Sequence, residues 1–128
     1  MSEKTFTWQG DGYDVAITVA QATVRMGARR TALLVTSAIP EEAADSVVQR
    51  VWIDVCAATV AVENAEGAER TIPWPLDAGD FADLPEPLGI AWENAVHDLN
   101  PHWAPWKQRR EEETPGESSG DAPTSSES

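Results

Sequence analysis

Polar and apolar residues alternate at the start of the chain, first in Thr5-Phe6-Thr7-Trp8 and again where Tyr13, Val15, Ile17 and Val19 take every second position. A period of two is that of a half-buried strand. Between the two runs, Gln9-Gly10-Asp11-Gly12 is turn chemistry, with two glycines able to adopt positive φ. The pattern predicts a β-hairpin over about residues 5–19. An isolated hairpin is marginal in water, so its apolar face requires something to pack against.

The period then lengthens. Ala20, Val24, Gly27, Thr31, Leu34 and Ala38 recur at steps of three and four, the stripe of an amphipathic helix over about residues 20–37. Gly27 either weakens that helix by about 1 kcal/mol relative to alanine or admits a close backbone neighbour. Arg25, Arg29 and Arg30 fall mostly off the stripe, as a solvated face or a functional basic patch. Ser37 to Glu42 interrupts the pattern, and Pro40 followed by two glutamates suits a new helix start. A second stripe (Ala44, Val48, Val51, Val55, Ala58, Val62), widened by Trp52 and Cys56, predicts the core helix over about residues 41–61.

Residues 63–70 are polar and loop-like, and residues 62–73 are open to reading as a second hairpin or a plain loop. Pro73-Trp74-Pro75 forbids helix and lays an extended segment over the core. Asp77 to Ala82 reads as one helical turn. Asp83 with Glu86 three residues on, and prolines at 85 and 87, open a last helix over about residues 84–99. Its stripe is Leu88, Trp92, Ala95 and Leu99, and Asn100-Pro101 stops it. Lys107 to Ser128 carries no large apolar side chain, and its Ser, Glu, Pro and Gly content predicts disorder. The expected architecture is α+β and mainly α: one small domain of residues 1–106, a hairpin packed on about three amphipathic helices, and a polar tail of residues 107–128.

Charge narrows the function. The chain has 9 Lys and Arg against 22 Asp and Glu, a net −13. Phosphate and anionic lipid are repelled at that balance, so neither nucleic acid nor membrane is an expected partner. The acidity either serves solubility or complements a basic or neutral protein. No stretch approaches the roughly 18 apolar residues of a membrane span. The expected location is the cytoplasm, and the lone Cys56 in its apolar run reads as a buried, inert thiol.

Chemistry-bearing motifs are sparse. The sequence holds no glycine-rich phosphate loop, no paired-cysteine metal pattern and no serine elbow. His97 and His102 are separated by the helix-breaking Pro101, so they make a poor metal pair and read better as helix-end histidines meeting terminal carbonyls. Neither a cofactor nor an enzymatic reaction is expected. Six tryptophans are the remaining signal. Trp8 packs the hairpin in this reading, and Trp52 and Trp92 lie on core stripes. Trp74, Trp103 and Trp106 stand in proline-broken segments, where large aromatics either staple the chain to its helices or anchor another protein.

The order of these parts resembles a known family. TFTWQGDGYDVAI looks like the N-terminal hairpin of tail assembly chaperones from phages with long, non-contractile tails. The RMGARR and VWIDVCAATV helices are similar to that family's next two. FADLPEPLGIAWENAVHDLNPHW resembles its closing pattern of an aromatic, Leu-Pro, a helix with a central Trp, and Asn-Pro before Trp. The likeness runs from residue 5 to about 106. The EGAER segment and the glycine of RMGARR depart from it.

That resemblance implies a protein that coats the apolar helices of the tape measure protein and keeps it soluble while the tail tube assembles. It implies self-association and absence from the mature virion. A longer form, made by ribosomal frameshifting, recruits the tail tube protein in such families, and this chain would be the shorter form. Phe81, Leu84, Leu88, Trp92, Asn100, Pro101 and Trp103 match the family pattern, with Leu84, Asn100 and Pro101 read as structural. The expected partner-binding residues are Trp74, Phe81, Leu88, Trp92, Val96, Trp103 and Trp106, with Trp103 and Trp106 closing over the last helix. Two other classes compete: an acidic inhibitor that mimics DNA towards a basic enzyme, and a small structural tail subunit.

Overall fold

A computed structural model of the chain describes residues 2–37 and 40–104. The segment expected to be disordered, residues 107–128, and the expected anchor Trp106 both lie outside the described residues.

The hairpin forms where the alternation placed it. Strands β1 (Glu3–Gly10) and β2 (Tyr13–Ala20) pair antiparallel from Glu3↔Ala20 to Gly10↔Tyr13. That register leaves a two-residue turn with φ of 54° at Asp11 and 88° at Gly12. Both residues in the left-handed region make the tight turn whose twist matches that of the strands, and Asp-Gly is its preferred sequence. Val15, Ile17 and Val19 of β2 are buried, with Phe6 and Trp8 of β1 packed beside them on the core cluster.

The first helix, α1 (Val24–Thr36), starts four residues later than its stripe suggested and is rotated from it. Thr23 caps it, accepting from the Met26 amide at 3.2 Å. Val24, an expected stripe position, is 92% exposed. The packed side is instead Met26, Gly27, Arg30 and Leu33, all only half-buried, and α1 buries no residue fully. On that side Arg30 turns inward to a carboxylate on the next helix. A Cβ at Gly27 would meet nothing within 4 Å, so no close backbone approach requires that glycine.

Helix α2 (Ala43–Ala58) begins after Pro40 and ends sooner than its stripe. Glu42 is its N-cap residue but makes no side-chain cap. At Thr59 the backbone turns directly into β3 (Thr59–Asn64), which pairs antiparallel with β2 in the order β1-β2-β3. The stripe position Val62 is therefore a strand residue, opposite Ile17. Thr59, Val60 and Val62 are β-branched, and the open edge of β2 offers unpaired amides and carbonyls that a further helical turn would leave uncovered.

Beyond β3 the chain is a loop rather than a second hairpin. Asn64 stands in for a strand neighbour: its Oδ1 accepts from the Ile72 amide at 2.8 Å, and its Nδ2 donates to the Ile72 carbonyl at 3.0 Å. Helix α3 (Ala78–Ala82) is capped by Asp77, whose Oδ1 accepts from the Asp80 amide at 2.7 Å. Asp83 ends α3 instead of capping the next helix. Helix α4 (Glu86–Leu99) starts behind Pro85 without a side-chain cap, and its last turn runs into a 3-10 turn at Pro101–Trp103.

Helix α4 lies across β1 and β2, while α2 packs on α1, α3 and α4. The core between sheet and helices is made by Val15, Ile17, Val19, Val55, Leu88 and Trp92 with their neighbours. The Trp92 indole donates to the Thr59 hydroxyl at 2.8 Å, and Trp52 donates to the Leu76 carbonyl at 2.8 Å. Asn100 closes the structure. Fully buried, it accepts from the Ala22 amide at 2.7 Å and donates to the carbonyls of Ala20 and Val96, each at 3.0 Å. The end of α4 is thereby tied to the β2–α1 junction. Among the described residues no helix is long and apolar enough to cross a membrane.

Two substitutions test this account by urea unfolding. Asn100→Ala strands the Ala22 amide and the Ala20 carbonyl, and its stability falls by about 2–4 kcal/mol. Gly27→Ala raises stability by roughly 0.5–1 kcal/mol, because the added methyl is unopposed and helix propensity improves.

Candidate functional site

Most of the expected anchors serve the monomer's own core. Leu88, Trp92 and Val96 have no exposed surface, and Phe81 and Trp103 are buried as well. The 3.6-residue stripe of α4 had to face something apolar, and the hairpin's inner face takes it. The Phe81 and Trp92 rings meet edge to face at 6.1 Å, and Trp74 lies 6.3 Å from Trp92. Trp74 alone among the described anchors shows a large exposed surface. Among the described residues, Leu88, Trp92 and Val96 therefore offer no open surface of their own.

The open groove lies on the opposite side of the helices. A cavity of 420 Å³ sits between α1, α2 and α4, lined by Leu34, Val47 and Val51 with Arg30, Arg50, Asp54, Glu93 and His97. A second, of 300 Å³, is bounded by α2, α4 and the Phe81–Pro85 segment, and adds Leu84, Gly89 and Ile90 to the apolar wall. The two adjoin at Val47, Val51 and Glu93, which line both, and together they make a trough across the helical face. Leu34 (40% exposed), Val47 (62%) and Ile90 (49%) stand along it. Scattered apolar surface is ordinary, but these side chains line a concavity together.

A buried charge cluster forms the floor at one end. The Asp54 carboxylate accepts from Arg30 Nε at 2.6 Å with one oxygen and meets His97 Nε2 at 2.9 Å with the other. Asp54 and His97 are both buried, and Arg30 is largely so. Glu93 approaches the other His97 ring nitrogen at 3.8 Å. The Arg30 guanidinium sits 4.9 Å from the centre of the Trp103 ring, so Trp103 braces the floor of the trough from beneath rather than closing over it. His97 thus meets carboxylates, a correction to the expectation that it would meet helix-end carbonyls.

No hydroxyl, thiol or lysine lines the larger cavity beside the His97–Asp54 pair. Cys56 is buried elsewhere, and its thiol lies 3.5 Å from the Leu76 carbonyl. Burial pushes that thiol up to about 11, with the charge of Arg29 pulling weakly the other way. Among the described residues, no three His, Cys, Asp or Glu side chains converge on a possible metal position.

Asp54, Arg50, Val47 and Ile90 were not singled out by the sequence. The available signal was a second row on α2, Val47-Arg50-Val51-Asp54, at helical spacing and sharing Val51 with the core stripe. Its mixture of valines, an arginine and an aspartate hid it among ordinary surface residues.

Replacing Asp54 by Asn removes the charge on which Arg30 and His97 converge, and costs about 2–4 kcal/mol in urea unfolding, whereas Arg25→Gln on the outer face of α1 leaves the transition in place. Cys56 supplies a pH test. Between its ordinary value of 9.0 and about 11 the unfolded chain has released a proton that the folded chain retains. Stability from this group is therefore intact below that window and falls as pH rises through it. Cys56→Ala shows a shallower alkaline loss of stability than the wild type, and the native wild-type thiol resists a disulfide reagent at pH 8.

No protein-family model matches this chain, and neither a curated protein nor a solved structure matches it.

Proposed function

We propose that the protein is a non-enzymatic chaperone that receives an amphipathic helix in the trough between α1, α2 and α4. The observation that carries this reading is an apolar concavity, walled by the exposed Leu34, Val47 and Ile90, on a chain of net charge −13. Helix-in-groove recognition needs such a surface, and strong net charge keeps the complex dispersed while apolar segments are covered. The resemblance of residues 5–106 to phage tail assembly chaperones names the client: the tape measure protein, held soluble in the host cytoplasm until the tail tube forms around it. Self-association and recruitment of the tail tube protein by a longer, frameshifted product belong to the same proposal.

Co-expression with the tape measure protein of the same phage tests it. The wild-type chain brings the client into the soluble fraction and co-purifies with it. Val47→Asp and Ile90→Asp, both at exposed positions, place a carboxylate in the trough and reduce recovery about tenfold or more. Val60→Asp, exposed on β3 outside the trough, leaves recovery unchanged. A client that stays insoluble, or equal recovery with every variant, rules the proposal out.

A further inference from the structure

The trough has two electrostatically different ends. Six Lys and Arg precede residue 105, and four of them, Arg25, Arg29, Arg30 and Arg50, are on α1 and α2. Arg30 and Arg50 line the trough beside Leu34. Arg30 is engaged by Asp54 and Trp103, and Arg50 is exposed at the rim. At the far end Glu86 joins the lining beside Leu84 and Ile90, and Asp83 is exposed next to Leu84 in the chain. Asp54 and Glu93 offset these two arginines, so the Arg50 end is formally neutral, whereas Glu86 and Glu93 leave the far end of the same apolar trough acidic.

We infer that this trough fixes the direction of the helix it receives: the occupant is an amphipathic helix of a partner protein, with its acidic end over Arg50 and its basic end over Glu86. The inference rests on the helix-binding reading and adds polarity to it. Complementary charges at the two ends of an apolar contact contribute modestly to affinity but strongly to register, because the reversed helix sets like charges against each other. Stable helices commonly carry Asp and Glu in the first turn and Lys and Arg in the last. Such a helix enters with its N-terminus at the Arg50 corner.

The test uses the full chain, methyl-labelled, and a synthetic 18-residue helix with a leucine stripe, glutamates in its first turn and lysines in its last. A nitroxide on the glutamate end attenuates the Leu34 and Val47 methyl signals and spares Leu84 and Ile90. Exchanging the groove charges with the double variant Arg50→Glu, Glu86→Lys moves the attenuation to Leu84 and Ile90, while the unlabelled methyl spectrum confirms an unchanged fold. A peptide with glutamine at every charged position binds about threefold to tenfold more weakly. Attenuation of both ends alike, or of Leu84 and Ile90 in the wild type, overturns the polarity while leaving helix binding intact. If no peptide perturbs these methyls, yet they shift with protein concentration or on deletion of residues 107–128, the trough belongs to a second copy or to the chain's own C-terminal segment. The assignment to a partner's helix then fails. Recovery of the tape measure protein in the co-expression experiment is read separately, so polarity and client can fail independently.

Discussion

Helix α1 buries none of its residues, so apolar burial alone cannot hold it against the body of the protein. The Asp54 carboxylate supplies the missing constraint. It receives Arg30 from α1 and His97 from α4, one on each oxygen, and so determines how far apart the three helices stand. A carboxylate buried without partners costs several kcal/mol, and a half-satisfied cluster is worse than none. The geometry is therefore selected as a unit: if Arg30 rotates outward, Asp54 loses a partner and Trp103 loses the cation over its ring. The three residues of this cluster also line the trough between the helices.

The polar side chains buried in this fold share a second task. Asn100 joins the end of α4 to residues 20 and 22, and Asn64 binds the 65–72 loop back onto the strand it leaves. Each satisfies both donor and acceptor groups of a segment that lacks regular pairing. Such contacts add less to stability than the core does, but they specify which of several apolar arrangements is adopted. The sheet is small, with only β2 paired on both sides, and it depends on α4 to cover its inner face.

This division of labour accounts for where the aromatic residues lie. Trp92, Phe81 and Trp103 are large because a small sheet and three helices leave an irregular space that only aromatics fill. With these aromatics committed to that space, the exposed apolar side chains of the trough are smaller ones: Leu34, Val47 and Ile90, with arginine and glutamate beside them.

Local chemistry decided what the sequence by itself could determine. The hairpin and its Asp-Gly turn, the last helix with its stop at Asn100-Pro101, and the burial of Trp92 follow from periods, turn residues and breakers acting within a few positions. Where two local readings were nearly equal, tertiary structure chose. Thr59 to Val62 fits helix and strand alike, and the open edge of β2 made it strand. The stripe on α1 was too weak to orient the helix, and a carboxylate 24 residues away turned Arg30 inward. The trough is the extreme case. It is assembled from residues 30 to 97 on three helices, and no period along the chain encodes a concavity between separate elements.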